Sequence, residues 1–456
     1  MENSSFILGN GMDILFWTDR WCGDVSLADL LHIPAHLHFN LEARVSDFIQ
    51  NNQWSLPYAL DQLFPLIKQV VYMVTIPLED KSDCIAWNLL DSGCLTLKEA
   101  YIFKSSHCPQ LQWTKVIWSK DIPPSKSLVA WRFMHDKLPT DASLSIRGCY
   151  LPSMCSLCLQ NQESTYHLFF ECPYAIHIWT WFSGIIGLNL HFNCIADIWK
   201  TCDRSWNPQC KVVIAASLVN ILSIIWYAIN QKRFRDKSIH WKTAISMISA
   251  NVSLSGNKTN KTINSSMRDF TILKNFRINL HPPKAPIIKE VFWQPPLFNW
   301  IKGNTDGAAN SSTAAYGGLF RNHLANFMGG FAENIGNKSA FFAELSGAIK
   351  AIEIAYENHW LNFWLETDSV LVVKAFSNLS LIPWSLRNRW MNCLLMTRSM
   401  NFFVSHVYRE GNVCADVLAN LGLGLLELTF WNTAPLHVCN SFARDKLGLP
   451  NFRFTP

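Results

Sequence analysis

No Asp-Asp step occurs anywhere in the 456 residues, and the few residues ahead of Gly9 leave no room for a polymerase palm, so DNA synthesis is not expected. Charge is sparse at 16%, beside 49% hydrophobic and 13% aromatic residues. That balance excludes a disordered chain and can bury substantial cores. A basic, hydrophobic and small-residue leader is also missing, which argues against secretion. The 14 cysteines are therefore expected as thiols or metal ligands in a reducing compartment. Length suggests two to four domains.

One uncharged stretch, residues 212–229, approaches membrane-span length. It contains Ser217, Asn220 and Ser223 and is followed by Gln231, Lys232, Arg233, Phe234 and Arg235. A buried helix with a basic end is expected, with no membrane partner.

The net charge of +5 is uneven. Residues 1–199 hold 12 Lys/Arg against 19 Asp/Glu, a balance of −7; residues 200–290 hold 15 against 4, or +11; residues 300–425 balance at 9 and 9. The basic segment, including Lys232, Arg233, Arg235, Lys258 and Lys261, is expected to supply part of any affinity for a nucleic-acid backbone. Within it, residues 251–266 are rich in Ser, Asn, Thr and Lys and predict a flexible connector.

Two constellations carry chemistry. Cys155-Ser156-Leu157-Cys158 is followed by His167 and Cys172. Three thiolates and one imidazole suit tetrahedral Zn²⁺, and four protein ligands leave no open position, so one structural zinc is expected. Further on, Asp306, Glu344, Asp368 and Asp416 stand in short contexts separated by elements that can bring them together. Mg²⁺ takes oxygen ligands, and two such ions roughly 3.5–4 Å apart can activate a water and stabilise the leaving oxygen at a phosphodiester. Converging carboxylates would repel one another without a cation.

The periodicities support convergence. Residues 300–306, 315–320 and 326–331 predict a strand meander. From Ser339, a plausible N-cap, Phe341, Leu345, Ala348, Ile352 and Ala355 recur at helical spacing, with Glu344 beside the stripe. Residues 363–368 then predict a strand, so a strand, helix, strand unit puts Asp306 and Asp368 at the carboxyl ends of neighbouring parallel strands. Asp416 enters from the first turn of a helix starting near Asn412.

The contexts Thr305-Asp306-Gly307-Ala308, Ala343-Glu344-Leu345, Glu366-Thr367-Asp368-Ser369 and Cys414-Ala415-Asp416 resemble the ribonuclease H family, in the version carried by plant non-LTR (LINE-type) retroelements, over about residues 298–425. The residues around the cysteine and histidine set, from Pro123-Pro124 to Pro173-Tyr174, resemble the zinc-binding region that follows the reverse transcriptase in such polyproteins, and residues 9–21 resemble the segment just after the polymerase core. The resemblance implies an α/β ribonuclease H-like fold with a mixed five-stranded sheet and helices, preceded by a mostly α-helical zinc-binding region. It implies a metal-dependent endonuclease that hydrolyses the RNA strand of RNA–DNA hybrids, using two Mg²⁺ ions and leaving 3′-hydroxyl and 5′-phosphate ends. His406 would assist proton movement from a mobile loop, or else end a strand as a structural residue. Asn310 would contact the ribose 2′-hydroxyl, or else shape a turn. Intracellular, nuclear residence is implied by the resemblance alone.

The expected layout is a post-polymerase region at 1–110, the zinc-binding region at 111–200, a helical segment and basic flexible linker at 201–295, the ribonuclease H-like domain at 296–430 and a tail at 431–456. The alternative is a catalytically inert zinc-containing nucleic-acid-binding protein or a retroelement remnant. Oligomeric state is not legible.

Overall fold

The computed structural model describes residues 3–105, 111–149, 152–192 and 194–455. Residues 111–286 form one compact unit; residues 3–105 and Ile287–Thr455 together form the other.

In the first unit, α1 (Pro124–Met134), α2 (Pro173–Ile186), α3 (Pro208–Arg235) and α4 (Trp241–Lys258) pack around one apolar cluster. Asn207 caps α3 by accepting from the Cys210 amide, and Pro208 presets the first helical φ. Asp236 ends the helix in the left-handed region at φ 51°. Apolar residues run all round α3, the pattern of a helix without a solvent face. It is long and apolar enough to cross a membrane, but 83% of its apolar window is buried inside the protein. Ser217 and Asn220 are tolerated there because they donate to the carbonyls of Val213 and Ala216, at 2.7 and 2.8 Å.

The expected flexible connector needs correction. Residues 251–258 continue α4, and Val252, Ser255 and Gly256 are buried. Ala244, Ile248 and Val252 recur every four residues to form the buried stripe.

In the second unit, β1 (Ile287–Val291) precedes β2 (Ile301–Ala309), β3 (Ala314–Arg321) and β4 (Phe327–Gly336). Helix α5 (Ala340–Glu357), β5 (Asn362–Thr367), α6 (Arg387–Arg398), β6 (Asn401–His406) and α7 (Val413–Gly422) follow. The chain closes with β7 (Thr429–Trp431), α8 (Leu436–Lys446) and β8 (Asn451–Thr455). The main sheet has the order β6-β5-β2-β3-β4-β7. Strands β2, β3 and β4 form the antiparallel meander, while β5 and β6 join in parallel. The five expected strands are present, and β7 adds a sixth, antiparallel to β4.

Ser339 caps α5 by accepting from the Phe342 amide at 3.2 Å. Leu345, Ala348, Ile349, Ile352 and Ala355 then bury against Tyr316, Phe320, Phe331, Phe363 and Leu365. Each such Leu or Ile contributes about 1.5–3 kcal/mol of burial. Helices α5 and α7 approach the sheet closely where it has glycine. A Cβ on Gly307 would lie 2.5 Å from the Glu344 amide nitrogen, and one on Gly317 would lie 2.4 Å from that of Ala419.

The expected C-terminal tail is ordered structure instead. Val438 and Asp445 of α8 are buried, and β8 pairs antiparallel with β1, Asn451 opposite Val291. The lack of alternation in Ile287–Val291 and a pairing partner more than 150 residues away hid this from local patterning.

Residues 3–105 carry a small core of their own that includes Leu8, Ile14, Phe16, Trp21, Val45, Phe48, Ile67 and Val71. The Gly9–Asp13 loop wraps a carboxylate. The amides of Gly9 and Gly11 donate to Asp83 Oδ1 at 2.6 and 3.0 Å, and that of Asp13 to Oδ2 at 2.9 Å. This region docks on α6 through two buried amides. Asn388 Nδ2 donates to Leu8 O at 2.7 Å, and Asn392 Nδ2 to Ile76 O at 2.9 Å. The Leu78 amide donates back to Asn392 Oδ1 at 2.9 Å.

Candidate active site

Register builds the acidic site. Thr305 of β2 lies opposite Thr367 of β5, the last pair of that ladder, so the next residues stand side by side: Asp306 still inside β2, opposite Gly317 of β3, and Asp368 just past the end of β5. Only Asp368 is at a strand end, a correction to the expectation for Asp306, because β2 runs on to pair with β3. Glu344 arrives from the second turn of α5. One carboxylate oxygen from each of the three lies within 4.8 Å of the others. Asp416, in the first turn of α7, is outside this trio: its Oδ1 accepts from Arg409 Nη2 at 2.9 Å.

Electrostatics point the same way. Burial, then the charge of Asp368, pushes Asp306 up to about 8, with Asp416 adding to the effect. Burial, then Asp306, pushes Glu344 up to about 10. Asp368 is raised by burial as well. Glu344 Oε2 is buried without a hydrogen-bond partner. A hard divalent cation fits such a set, since it would take up the orphaned oxygen and let the acids ionise together.

His406 ends β6, and its Nε2–H donates to the Asp368 carbonyl at 3.1 Å. It is thus both a strand end and a neighbour of the acids. Asn310 shapes the β2–β3 turn: its Oδ1 accepts from the amides of Ser312 and Thr313, both at 2.9 Å. Two residues at the site escaped sequence reasoning. Arg409 was hidden because a loop arginine resembles any solvated charge. Asn412 was read only as a helix start, yet it is buried and donates from Nδ2 to Thr305 O at 2.9 Å and Asp368 Oδ1 at 3.2 Å.

The cysteine and histidine set also converges. Cys155, Cys158, His167 and Cys172 each offer a ligand atom within 4.8 Å of the rest. Cys155 Sγ lies 3.9 Å from Cys172 Sγ, and Cys158 Sγ lies 3.4 Å from His167 Nε2. Leu159, at φ 55°, turns the knuckle. His167–Glu171 forms a π-helical turn leading into α2. His167 Nδ1 faces the Glu171 carboxylate at 3.8 Å, beyond hydrogen-bond reach, while Nε2 faces Cys158. The Cys172 thiol beside Cys155 holds the latter down at about 4. The same contact, with burial, pushes the Cys172 thiol up, so the pair shares a proton that a zinc ion would displace on ligation.

The basic segment is partly committed elsewhere. Lys232 pairs with Asp236 at 2.6 Å. Arg233 lies 2.6 Å from buried Asp141 Oδ1, poorly aligned for a hydrogen bond, and 3.2 Å from buried Glu163 Oε1. Burial, then Asp141, pushes Glu163 up to about 7.

Residues 95–179 match the family described as zinc-binding in reverse transcriptase, and residues 304–422 the family described as reverse transcriptase-like. A protein of Arabidopsis thaliana, provisionally named a ribonuclease H protein, is 24% identical over 464 residues, covering 97% of this chain and 70% of that protein. Among solved structures, ribonuclease H1 of the archaeon Halobacterium salinarum is 25% identical and covers 27% of this chain and 97% of its own, with a TM-score of 0.25. LC11 ribonuclease H1 in complex with an RNA/DNA hybrid is 22% identical and covers 27% of this chain and 96% of its own, also at 0.25. Two stretches of the chain thus match, in this order, a zinc-binding region of reverse transcriptases and a reverse transcriptase-like family, the order that the resemblance to plant retroelement polyproteins implied.

Proposed function

We propose that this chain hydrolyses the RNA strand of RNA–DNA hybrids at a divalent-metal site, with a separate structural zinc. One observation carries the reading: three carboxylates from β2, α5 and the end of β5 meet within 4.8 Å, with an oxygen of Glu344 buried and unpartnered.

Asp306, Glu344 and Asp368 would hold Mg²⁺, and Asp416 would join them on release from Arg409. When bound, a pair of such ions activates a water and neutralises charge at the phosphate. The protein's own groups do the rest. Asn412 fixes one oxygen of Asp368 and leaves the other for ligation. His406 can pass a proton at the rim through its free Nδ1, since Nε2–H is held by the Asp368 carbonyl. Arg409, with its guanidinium exposed beside the acids, can meet phosphate oxygens. The RNA 2′-hydroxyl distinguishes the strand to be cut. Cys155, Cys158, His167 and Cys172 would hold one zinc in a closed set. An intracellular, nuclear setting belongs to the same proposal.

The test is a labelled hybrid incubated with Mg²⁺ and wild-type or Asp368→Asn protein. Wild type should cut, and the variant should lose activity on the order of 10³-fold. Equal cutting by both, or none by either, overturns the reading in favour of an inert binding protein.

A further inference from the structure

Two separate sets of contacts connect the C-terminal residues 429–455 to the acidic site. The first is a buried polar chain. Asp445 of α8 accepts from Arg321 Nη1 at 2.7 Å, and Arg321 Nη2 donates to Asn304 Oδ1 at 2.8 Å. Asn304 Nδ2 donates to Asn412 Oδ1 at 3.3 Å, and Asn412 in turn donates to Asp368 Oδ1. All four intermediates, Asp445, Arg321, Asn304 and Asn412, are buried. The Arg321 guanidinium lies 3.6 Å from the centre of the Trp293 ring, whose indole N–H also donates to Asn304 at 2.9 Å. In a low-dielectric interior such a chain is costly to break at any point, because each broken bond strands a buried partner.

The second set holds the loop between β6 and α7. Arg453 of β8 donates from Nη1 to Glu410 Oε2 at 3.2 Å and lies 4.4 Å from the centre of the Tyr408 ring. The β1 partner strand presses on the same loop: a Cβ on Gly411 would lie 3.0 Å from Val291. Arg409, which holds Asp416, sits between these two points. Both sets start beyond residues 304–422, the extent of the reverse transcriptase-like match.

We propose that residues 429–455 brace the carboxylate site, with Asp445 and Arg453 as positioning residues that fix Asn412 and the loop of residues 406–411. Clustered acids repel one another, and ligation demands positions held to about 0.5 Å. The brace supplies that restraint from outside the sheet. Its kinetic consequence rests on the nuclease reading, while its structural consequence does not.

The experiment uses the full chain as wild type, Arg453→Ala, Arg453→Lys and Asp445→Asn. Amide hydrogen exchange of residues 406–412, Mn²⁺ binding by calorimetry, and hybrid cleavage are measured together. Arg453 is about one-third exposed, so Arg453→Ala should fold even if Asp445→Asn, with a buried guanidinium left unpaired, does not. Arg453→Ala should raise exchange in the loop about tenfold with little change in Tm. It should weaken Mn²⁺ binding by roughly 10-fold and lower kcat similarly, with the hybrid KM unchanged. Arg453→Lys should recover part of each, keeping the charge opposite Glu410 but losing the planar stack. Wild-type exchange and Mn²⁺ affinity in Arg453→Ala would overturn the brace. Failure of wild type to cut would overturn the nuclease reading and leave exchange and Mn²⁺ binding to decide this one.

Discussion

The two ligand clusters differ in how the chain assembles them. The four candidate zinc residues come from residues 155–172, a knuckle, a π-helical turn and a helix start. The three clustered carboxylates come from residues 306, 344 and 368, which only a completed sheet and helix bring together. A local cluster is complete and closed, so it can hold a helical unit together but offers no place for a substrate. A topological cluster is open and strained by its own charge, so it costs stability and leaves room for a substrate. Neither cluster substitutes for the other.

The largest effect should come from opening the closed one. Cys155→Ser with Cys158→Ser should remove about one zinc per chain by metal analysis and unfold residues 111–286, because structural zinc contributes roughly 10–16 kcal/mol of apparent binding energy in small modules. Full zinc content in that variant would end the comparison.

Next, Arg233→Met tests whether the helical unit depends on charge pairing as well as on metal. It strands Asp141 and Glu163, both buried, and should cost about 3–5 kcal/mol, read as a lower denaturation midpoint. A variant that keeps its stability while losing salt-dependent hybrid binding would instead restore Arg233 to the nucleic-acid surface.

The smallest effect tests the strain in the open cluster. Asp306 is raised from 3.8 to about 8 and Glu344 from 4.5 to about 10. Both are acids whose folded values exceed their unfolded ones, so their stabilising contribution is full below about pH 4 and is lost as pH climbs through 8 and towards 10. In chelator, Asp306→Asn should therefore melt above wild type at pH 8, by roughly 5 °C, and the gap should close at pH 4. Added Mg²⁺ should raise wild type alone. Identical melting curves for the two proteins across this range would remove the strain from the account.

Much of this was legible in the residues. The stripe from Phe341 to Ala355 and the Ser339 cap fixed α5, and the alternation through residues 363–368 placed Asp368 beside Asp306. The knuckle was readable because its spacing is local. Other features were not. Residues 287–291 and 451–455 form a sheet only with each other, a pairing that no window contains. Residues 251–258 are helical because small polar side chains fit a buried stripe, which composition disguises. Arg409 and Asn412 matter through what lies opposite them, and Asp416 was expected beside its companions without the arginine that holds it.

The docking of residues 3–105 on α6 has a consequence for biosynthesis. Asn388 and Asn392 supply the amides that meet the carbonyls of Leu8 and Ile76, and they are translated 380 and 316 residues later. At about 5–20 residues per second, this segment waits roughly 15–75 s for its partner. During that interval the surface of residues 3–105 that α6 later covers lacks that partner, so this docking can form only after α6 has left the ribosome.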